Sequence, residues 1–247
     1  MKNINKQINK YKQSNFISLD LSNFKLKNIP IILHESLKYL YINNNKLHSI
    51  NNFKYLNNLS ILDCSFNKLS NIYYFKNLVE LDCKNNILND IFLIKNCKLL
   101  KRLDCSNNNI IMLPPLNNLK FLICDNNKIN SLPEMKNINK ISCSHNYINN
   151  IDKFYNLSYL NCKNNLIKKI NNLPNIIELY CENNKIKKIK NINSIKIIHC
   201  HNNKLINIPY FPNLNELICD NTIQKIGKEY NIYYVNKYKN ILHLKIK

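Results

Sequence analysis

The sequence predicts an α/β repeat solenoid, in which about eleven similar repeats stack and each adds one short strand to a parallel β-sheet. Three observations indicate this fold: a regular column of cysteines, an asparagine at a fixed distance after them, and leucine or isoleucine at two fixed positions before them. Repetition at a constant period is the signature of stacked-repeat folds. The other features of the chain are therefore interpreted within this repeat.

The cysteine column sets the period. Nine of the ten cysteines recur at intervals of 19, then 22, then six times 19 residues, namely Cys64, Cys83, Cys105, Cys124, Cys143, Cys162, Cys181, Cys200 and Cys219. Three residues after each of the first eight stands an asparagine: Asn67, Asn86, Asn108, Asn127, Asn146, Asn165, Asn184 and Asn203. The repeat is therefore about 19 residues long.

Leucine or isoleucine lies two and five residues before each of these cysteines. An example is Leu157-x-x-Leu160-x-Cys162-x-x-Asn165-x-Ile167. This pattern resembles the leucine-rich-repeat consensus L-x-x-L-x-L-x-x-N-x-L, with cysteine in the third apolar slot. The resemblance covers residues 16–225. The chain is similar to leucine-rich-repeat proteins from AT-rich genomes, such as those of large DNA viruses and amoebae. It implies a parallel sheet on the concave face and non-helical turns on the convex face.

Alternation within each repeat predicts a short strand whose leucine and cysteine point into the core. The asparagine marks the turn off the strand, where its amide satisfies backbone groups. About eight residues then return across the convex side, too few for a long helix, so we expect extended segments and 3₁₀ turns there. The predicted organisation is a basic N-terminal arm or cap (1–15), the solenoid (16–225) and a C-terminal cap (226–247).

The cysteines have two possible roles, metal or redox chemistry and core packing. A straight column of inward thiols does not converge on one point, as a tetrahedral metal site requires. Free cysteine packs as a small buried hydrophobe. The column therefore favours a structural role, and we expect no cofactor.

The formal net charge is +21, from 36 lysines and arginines against 15 acidic residues. Such an excess raises the question of nucleic acid or an anionic membrane as a partner. Arg102 is the single arginine, whereas base-edge recognition favours the arginine fork. The codon bias of an AT-rich genome would also enrich lysine.

The strand positions that face outward on the predicted concave surface have the opposite charge. They contain ten of the fifteen acidic residues and four basic ones, a net −6, which becomes −2 when four flanking lysines are included. Acidic and aromatic side chains there predict a partner-binding surface, although the acids could also serve solubility. The predicted contact residues are Tyr39, Tyr41, Asp63, Glu80, Asp82, Asp104, Phe121, Tyr159, Tyr180 and Glu182.

A weaker candidate is a metal site near the C-terminal end. His199 and His201 alternate onto one strand face, and Glu182 and Asp220 are expected beside His201 on the neighbouring strands. The alternative is a pair of exposed histidines beside acids.

With one glycine, the chain has no glycine-rich nucleotide loop and no G-x-S-x-G motif, so we expect no enzymatic activity. The predicted function is a non-catalytic protein-interaction module that binds on the concave face. The alternative is non-specific binding of nucleic acid or an anionic surface by the lysine-rich convex side. Without a signal-like or membrane-length apolar stretch, we expect a cytoplasmic protein, monomeric by default.

Overall fold

The computed structural model describes residues 2–152, 154–171, 173–190, 192–227, 230, 232–238 and 240–246. The chain divides into two compact units, Met1–Lys128 and Ile129–Lys247, which are described separately. The predicted C-terminal cap includes residues 228, 229, 231, 239 and 247, which lie outside the described residues, as does residue 1 of the predicted N-terminal segment.

The first unit begins with helix α1 (Lys2–Gln13), followed by six short strands. The strands are β1 (Ser18–Asp20), β2 (Tyr39–Tyr41), β3 (Ile61–Asp63), β4 (Glu80–Asp82), β5 (Arg102–Asp104) and β6 (Phe121–Ile123). They pair in parallel in sequence order, with Leu40, Leu62 and Leu81 directly opposite one another. The middle residue of each strand is buried and its neighbours are more exposed, so this sheet follows the predicted alternation.

Helix α1 closes one end of the first unit through Tyr11. This side chain is buried, and its hydroxyl accepts a hydrogen bond from the backbone N–H of His34 at 2.7 Å. The Phe16 ring contacts both Tyr11 and His34, with ring centroids 5.1 and 4.9 Å apart. The helix thus covers apolar side chains beside β1.

The described residues of the second unit form eleven strands. They are β7 (Lys140–Ser142), β8 (Asn150–Ile151), β9 (Tyr159–Asn161), β10 (Lys169–Ile170), β11 (Glu178–Tyr180), β12 (Ile197–His199), β13 (Asn207–Ile208), β14 (Glu216–Asp220), β15 (Lys225–Ile226), β16 (Ile232–Tyr238) and β17 (Ile241–Ile246). The main sheet has the order β7-β9-β11-β12-β14-β17-β16. Its first five strands are parallel, whereas β17 pairs antiparallel with both β14 and β16.

The core of each unit is built from the predicted columns. All ten cysteines are buried and none forms a disulfide. Burial in apolar surroundings raises the pKa of thiols such as Cys162 and Cys181, and that of Cys219 to about 12. The cysteines therefore pack as small neutral hydrophobes between rows of leucine and isoleucine.

The asparagine column forms a hydrogen-bonded ladder. Asn165 Nδ2 donates to the carbonyl oxygens of Cys162 and of Cys143 in the preceding coil, at 3.1 and 3.0 Å. Its Oδ1 accepts from the backbone N–H of Ile148 at 2.9 Å. Asn67, in the first unit, makes the same kind of bonds to Cys64, Ile42 and Leu47. Each ladder asparagine thus satisfies buried backbone groups of two coils.

The return side of each coil, formed by the segments that connect the parallel strands, contains 3₁₀ helices and short extended pieces. The 3₁₀ helices are Asn51–Phe53 and Phe92–Asn96, and the extended pieces are β8, β10, β13 and β15. This confirms the predicted fold class, a repeat solenoid of about eleven turns with a parallel sheet and little helix. The described helices are too short or too polar to cross a lipid bilayer.

Candidate interaction surface

The strand face is the side of each sheet that carries the first and third residues of the parallel strands and the residue two positions beyond each three-residue strand. It corresponds to the predicted concave face. Parallel pairing places Tyr41, Asp63, Asp82 and Asp104 in one column across β2 to β5. Tyr39, Glu80 and Phe121 lie in the neighbouring column, which gathers all seven predicted first-unit residues on one face.

These columns line a shallow cavity of about 370 Å³ in the first unit. Its walls are acidic, basic and aromatic, with Asp63, Glu80, Asp82, Asp104, Lys84, Arg102, Tyr41 and Phe121 among the lining residues. The lining carries four acids against two bases, so it remains negative within a basic chain. Such a mixture suits a polar or basic protein surface better than a small apolar ligand.

The acidic run is partly neutralised from within, which the sequence pattern did not predict. Lys84 Nζ lies 2.7 Å from Asp82 Oδ2 and 3.6 Å from Asp104 Oδ2. Burial raises the pKa of Asp82, although the hydrogen bond from Lys84 opposes that shift. Arg102 Nε lies 3.7 Å from Glu80 Oε2, and its guanidinium stands 5.1 Å from the centroid of the Phe121 ring.

Four aspartates of the strand face, Asp82 among them, also accept hydrogen bonds from the backbone. Asp63 Oδ1 accepts hydrogen bonds from the N–H and the hydroxyl of Ser65, at 3.0 and 2.6 Å. Asp104 binds Ser106 in the same way, at 3.1 and 2.6 Å. Asp20 and Ser22 repeat the motif. At these turns the strand ends, and the aspartate side chain accepts a hydrogen bond from the N–H two residues further on. Part of the acidic column is therefore explained by this structural role of aspartate.

In the second unit the predicted contact residues form an aromatic row beside an acid. The rings of Tyr159 and Tyr180 lie with centroids 5.6 Å apart, and Tyr180 meets the His199 ring edge-on at 4.8 Å. Burial and the hydrogen bond to Glu178 raise the pKa of Tyr180 to about 12, so its hydroxyl stays a neutral donor. Glu182 is 9% exposed, and its Oε2 has no hydrogen-bond partner among the described residues.

The four residues suggested as a metal site do not converge. Glu182 Oε1 lies 3.9 Å from Nδ1 of His199. Asp220 Oδ1 accepts a hydrogen bond from the backbone N–H of Asn202 at 2.8 Å. The part of the chain that the structure describes contains no group of three or more His, Cys, Asp or Glu placed to hold a metal ion. Burial lowers the pKa of His199, although Glu182 and Glu216 oppose that shift.

Glu216 was not among the predicted site residues, yet it is the centre of this end of the strand face. Its Oε1 lies 3.4 Å from Nε2 of His199 and 3.0 Å from Nε2 of His243, and its Oε2 pairs with Lys245. Burial alone would raise the pKa of Glu216, but Lys245 and His199 outweigh it and the pKa lies below its usual value. The antiparallel pairing of β17 with β14 brings these groups together.

Several solved structures share this fold. A leucine-rich-repeat protein of Leptospira interrogans matches with a TM-score of 0.71 at 22% identity, over 76% of this chain and 55% of that one. The leucine-rich-repeat domain of APL1B matches with a TM-score of 0.70 at 16% identity, over 89% of this chain and 77% of that domain. YopM, a leucine-rich effector protein from Yersinia pestis, matches with a TM-score of 0.70 at 20% identity, over 92% and 75%.

These comparisons establish the fold. The chain is a leucine-rich-repeat solenoid, like the solved structures that it resembles. Neither a protein-family model nor a curated protein sequence matches it. The chain spans just over half the length of the Leptospira interrogans protein. Leucine-rich-repeat folds are typical scaffolds for protein–protein interaction.

Proposed function

We propose that the chain is a non-catalytic interaction module whose strand face binds a protein partner. The observation that carries this proposal is the mixed acidic and aromatic cavity of the first unit, which lies on the sheet face of a repeat scaffold. Extended repeat proteins commonly bind through the face that their strands line. Aromatic side chains and paired charges are the usual anchors of such interfaces.

The proposed contact residues are Tyr39, Tyr41, Asp63, Glu80, Asp82, Asp104 and Phe121 in the first unit, and Tyr159, Tyr180 and Glu182 in the second. Lys84 and Arg102 leave the first-unit surface with a modest negative charge, so we expect the partner to present a polar surface with a basic excess. Because its charges are partly paired in advance, recognition should rest on shape and aromatic contact more than on net charge. We expect a monomer that acts in the cytoplasm.

The test is affinity capture from a lysate of the native cell with matched baits. One bait carries Asp63→Asn, Glu80→Gln and Asp104→Asn, which remove charge but keep the side-chain oxygen that accepts from Ser65 and Ser106. The control carries Glu35→Gln, Asp90→Asn and Glu134→Gln, three exposed acids off the strand face. Both variants lose the same formal charge.

We expect a protein that the wild type and the control capture, that the strand-face variant loses, and that survives nuclease treatment and a high-salt wash. Equal capture by all three baits would contradict the proposal, because the strand face would then be irrelevant to binding. The same washes separate the alternative function, since binding to nucleic acid weakens steeply with salt.

A further inference from the structure

A second surface lies on the return side of the second unit, away from the strand face. It is a groove of about 800 Å³, the lysine groove, formed where the return segments of successive coils meet β13 and β15. Four exposed lysines line it, namely Lys187, Lys188, Lys190 and Lys225. Buried Ile189 and Ile208 lie beneath them, and no acidic residue is among its described lining residues.

The lysines are not balanced within the described part of the chain. None of the four makes an ion pair there, whereas Lys84 and Lys245 on the strand face both do. Four like charges around one concavity repel each other, and no acidic side chain among the described lining residues offsets that repulsion. An anionic ligand with several charges would offset it. Because these cations are lysines, they fit phosphates as point charges without base-edge specificity.

An aromatic ring lies at the wall of the same groove. Tyr210 is 39% exposed, and its ring centroid lies 5.2 Å from that of Tyr230. Tyr230 is fixed in turn, because its hydroxyl accepts from the N–H of Phe211 at 2.8 Å and donates to the carbonyl of Pro209 at 3.1 Å. These hydrogen bonds fix the backbone segment that carries Tyr210. Less conformational entropy is therefore lost when a ligand stacks on the Tyr210 ring.

The single glycine of the chain shapes this wall. A Cβ atom at Gly227 would lie 2.9 Å from the Cα of Tyr210, closer than side chains tolerate. Only glycine therefore lets the end of β15 approach the Tyr210 backbone this closely. The groove owes its form to this contact as well as to the coil spacing.

We infer that the lysine groove is a binding site for single-stranded nucleic acid, in which the lysines contact phosphates and Tyr210 stacks on a base. Phosphate charge, a concave apolar floor and an aromatic platform are the combination that single strands require. A planar bilayer cannot enter a concave groove, so a lipid surface fits the shape less well. This site is independent of the strand face and of the partner proposed for it.

The test measures binding of a fluorescent single-stranded oligonucleotide of about 12 nucleotides by anisotropy across a salt series. The groove variant carries Lys187→Gln, Lys188→Gln and Lys225→Gln. The matched control carries Lys54→Gln, Lys76→Gln and Lys98→Gln, three exposed return-side lysines of the first unit. Both variants lose three positive charges, so a difference between their affinities depends on where the lysines lie and not on net charge. A third variant, Tyr210→Leu, removes the stacking ring, and thermal melts check that every variant folds.

We expect the groove variant to bind at least about tenfold more weakly than the control, with a salt slope lower by about 2. Tyr210→Leu should weaken binding about tenfold while leaving the salt slope unchanged. Equal weakening in the groove and control variants would overturn the inference, because net charge alone would then explain binding. Unchanged affinity in Tyr210→Leu, or binding to phosphatidylserine vesicles without binding to the oligonucleotide, would also overturn it.

Discussion

Phe66 and Asn85 occupy the same left-handed position in adjacent coils, with φ angles of 52° and 53°. In the later coils this position, just before the ladder residue, is held by asparagine except at His145. Asparagine visits left-handed backbone at little cost, whereas a bulky aromatic residue is strained there. The two residues therefore adopt the same left-handed backbone conformation, but Phe66 does so with more strain than Asn85.

Replacing Phe66 by asparagine should stabilise the protein. Phe66 is 47% exposed, so the substitution removes strain and little packing. We expect the free energy of unfolding to rise by about 1 kcal/mol, measured by urea denaturation. The reverse change, Asn85→Phe, should lower it by a similar amount. A loss of stability in Phe66→Asn would show that the ring packs more strongly than its exposure indicates.

The asparagine ladder should be a main source of stability. Asn165→Ala removes three buried hydrogen bonds and leaves backbone groups of two coils unpaired. We expect a loss of about 3 kcal/mol or more in the free energy of unfolding. The control is Asn175→Ala, since that exposed side chain makes one bond, to the carbonyl of Tyr155, and its loss should cost about 1 kcal/mol or less. Similar effects in both variants would argue against the ladder.

Glu182 should cost stability on the strand face. Its Oε2 is buried without a hydrogen-bond partner among the described residues. Glu182→Gln removes the buried charge and offers His199 Nδ1 an amide donor, so thermal denaturation should show an equal or higher melting temperature. Because Glu182 opposes the burial that lowers the pKa of His199, the variant should lower that pKa further, as followed by NMR titration. An unchanged His199 titration would contradict the contact.

The buried cysteines predict a loss of stability in alkali. Burial raises the pKa of thiols such as Cys162 and Cys181 in the folded protein, while unfolded thiols ionise near the ordinary value of 9.0. The contribution of the neutral thiols to the free energy of unfolding is therefore complete below about pH 9. Above that pH it falls by about 1.4 kcal/mol per pH unit for each thiol. Urea melts from about pH 8 to about pH 10 would measure the slope.

A variant with Cys162→Ala and Cys181→Ala serves as the control for that slope. It should be less stable at neutral pH because the two alanines leave small cavities. Its stability should nevertheless fall less steeply in alkali, since two ionising thiols are gone. An identical slope in the variant and the wild type would assign the alkaline loss to other groups.

Gly227→Ala should destabilise the second unit. The added methyl would lie 2.9 Å from the Cα of Tyr210, and a backbone atom cannot move aside as a flexible side chain does. We expect a loss of about 1–3 kcal/mol, measured by chemical denaturation. Gln224→Ala, at an exposed position nearby, should change stability little. If Gly227→Ala proved neutral, the close approach would not constrain the fold.

The repeat architecture was predictable because three residue types recur at fixed spacing. The repeat positions of Leu160, Cys162 and Asn165 point inward in each coil. Their fixed spacing therefore determines the register of the strands. The ten predicted contact residues fall on the strand face for the same reason. Their accessibility did not follow: Glu182 is nearly buried, because the exposure of a long side chain depends on its conformation and its neighbours.

Charge pairing and long-range contacts could not be predicted. Whether Lys84 reaches Asp82 depends on side-chain rotamers, which a sequence column does not specify. Glu216 meets His243 only because β17 returns antiparallel beside β14, across a connection with no repeat. The lysine groove lies on the return side, where the residues do not recur at a strict period. Gly227 is a single residue and belongs to no repeated pattern.

Both 3₁₀ helices that the structure describes lie in coils of 22 residues, between Ile42 and Cys64 and between Cys83 and Cys105. The three residues beyond the usual 19 leave the pairing of β2 with β3 and of β4 with β5 unshifted. Length variation is thus absorbed opposite the sheet. A loop or an epitope tag could be inserted in these return segments, and the spacing of contact residues on the strand face would be preserved.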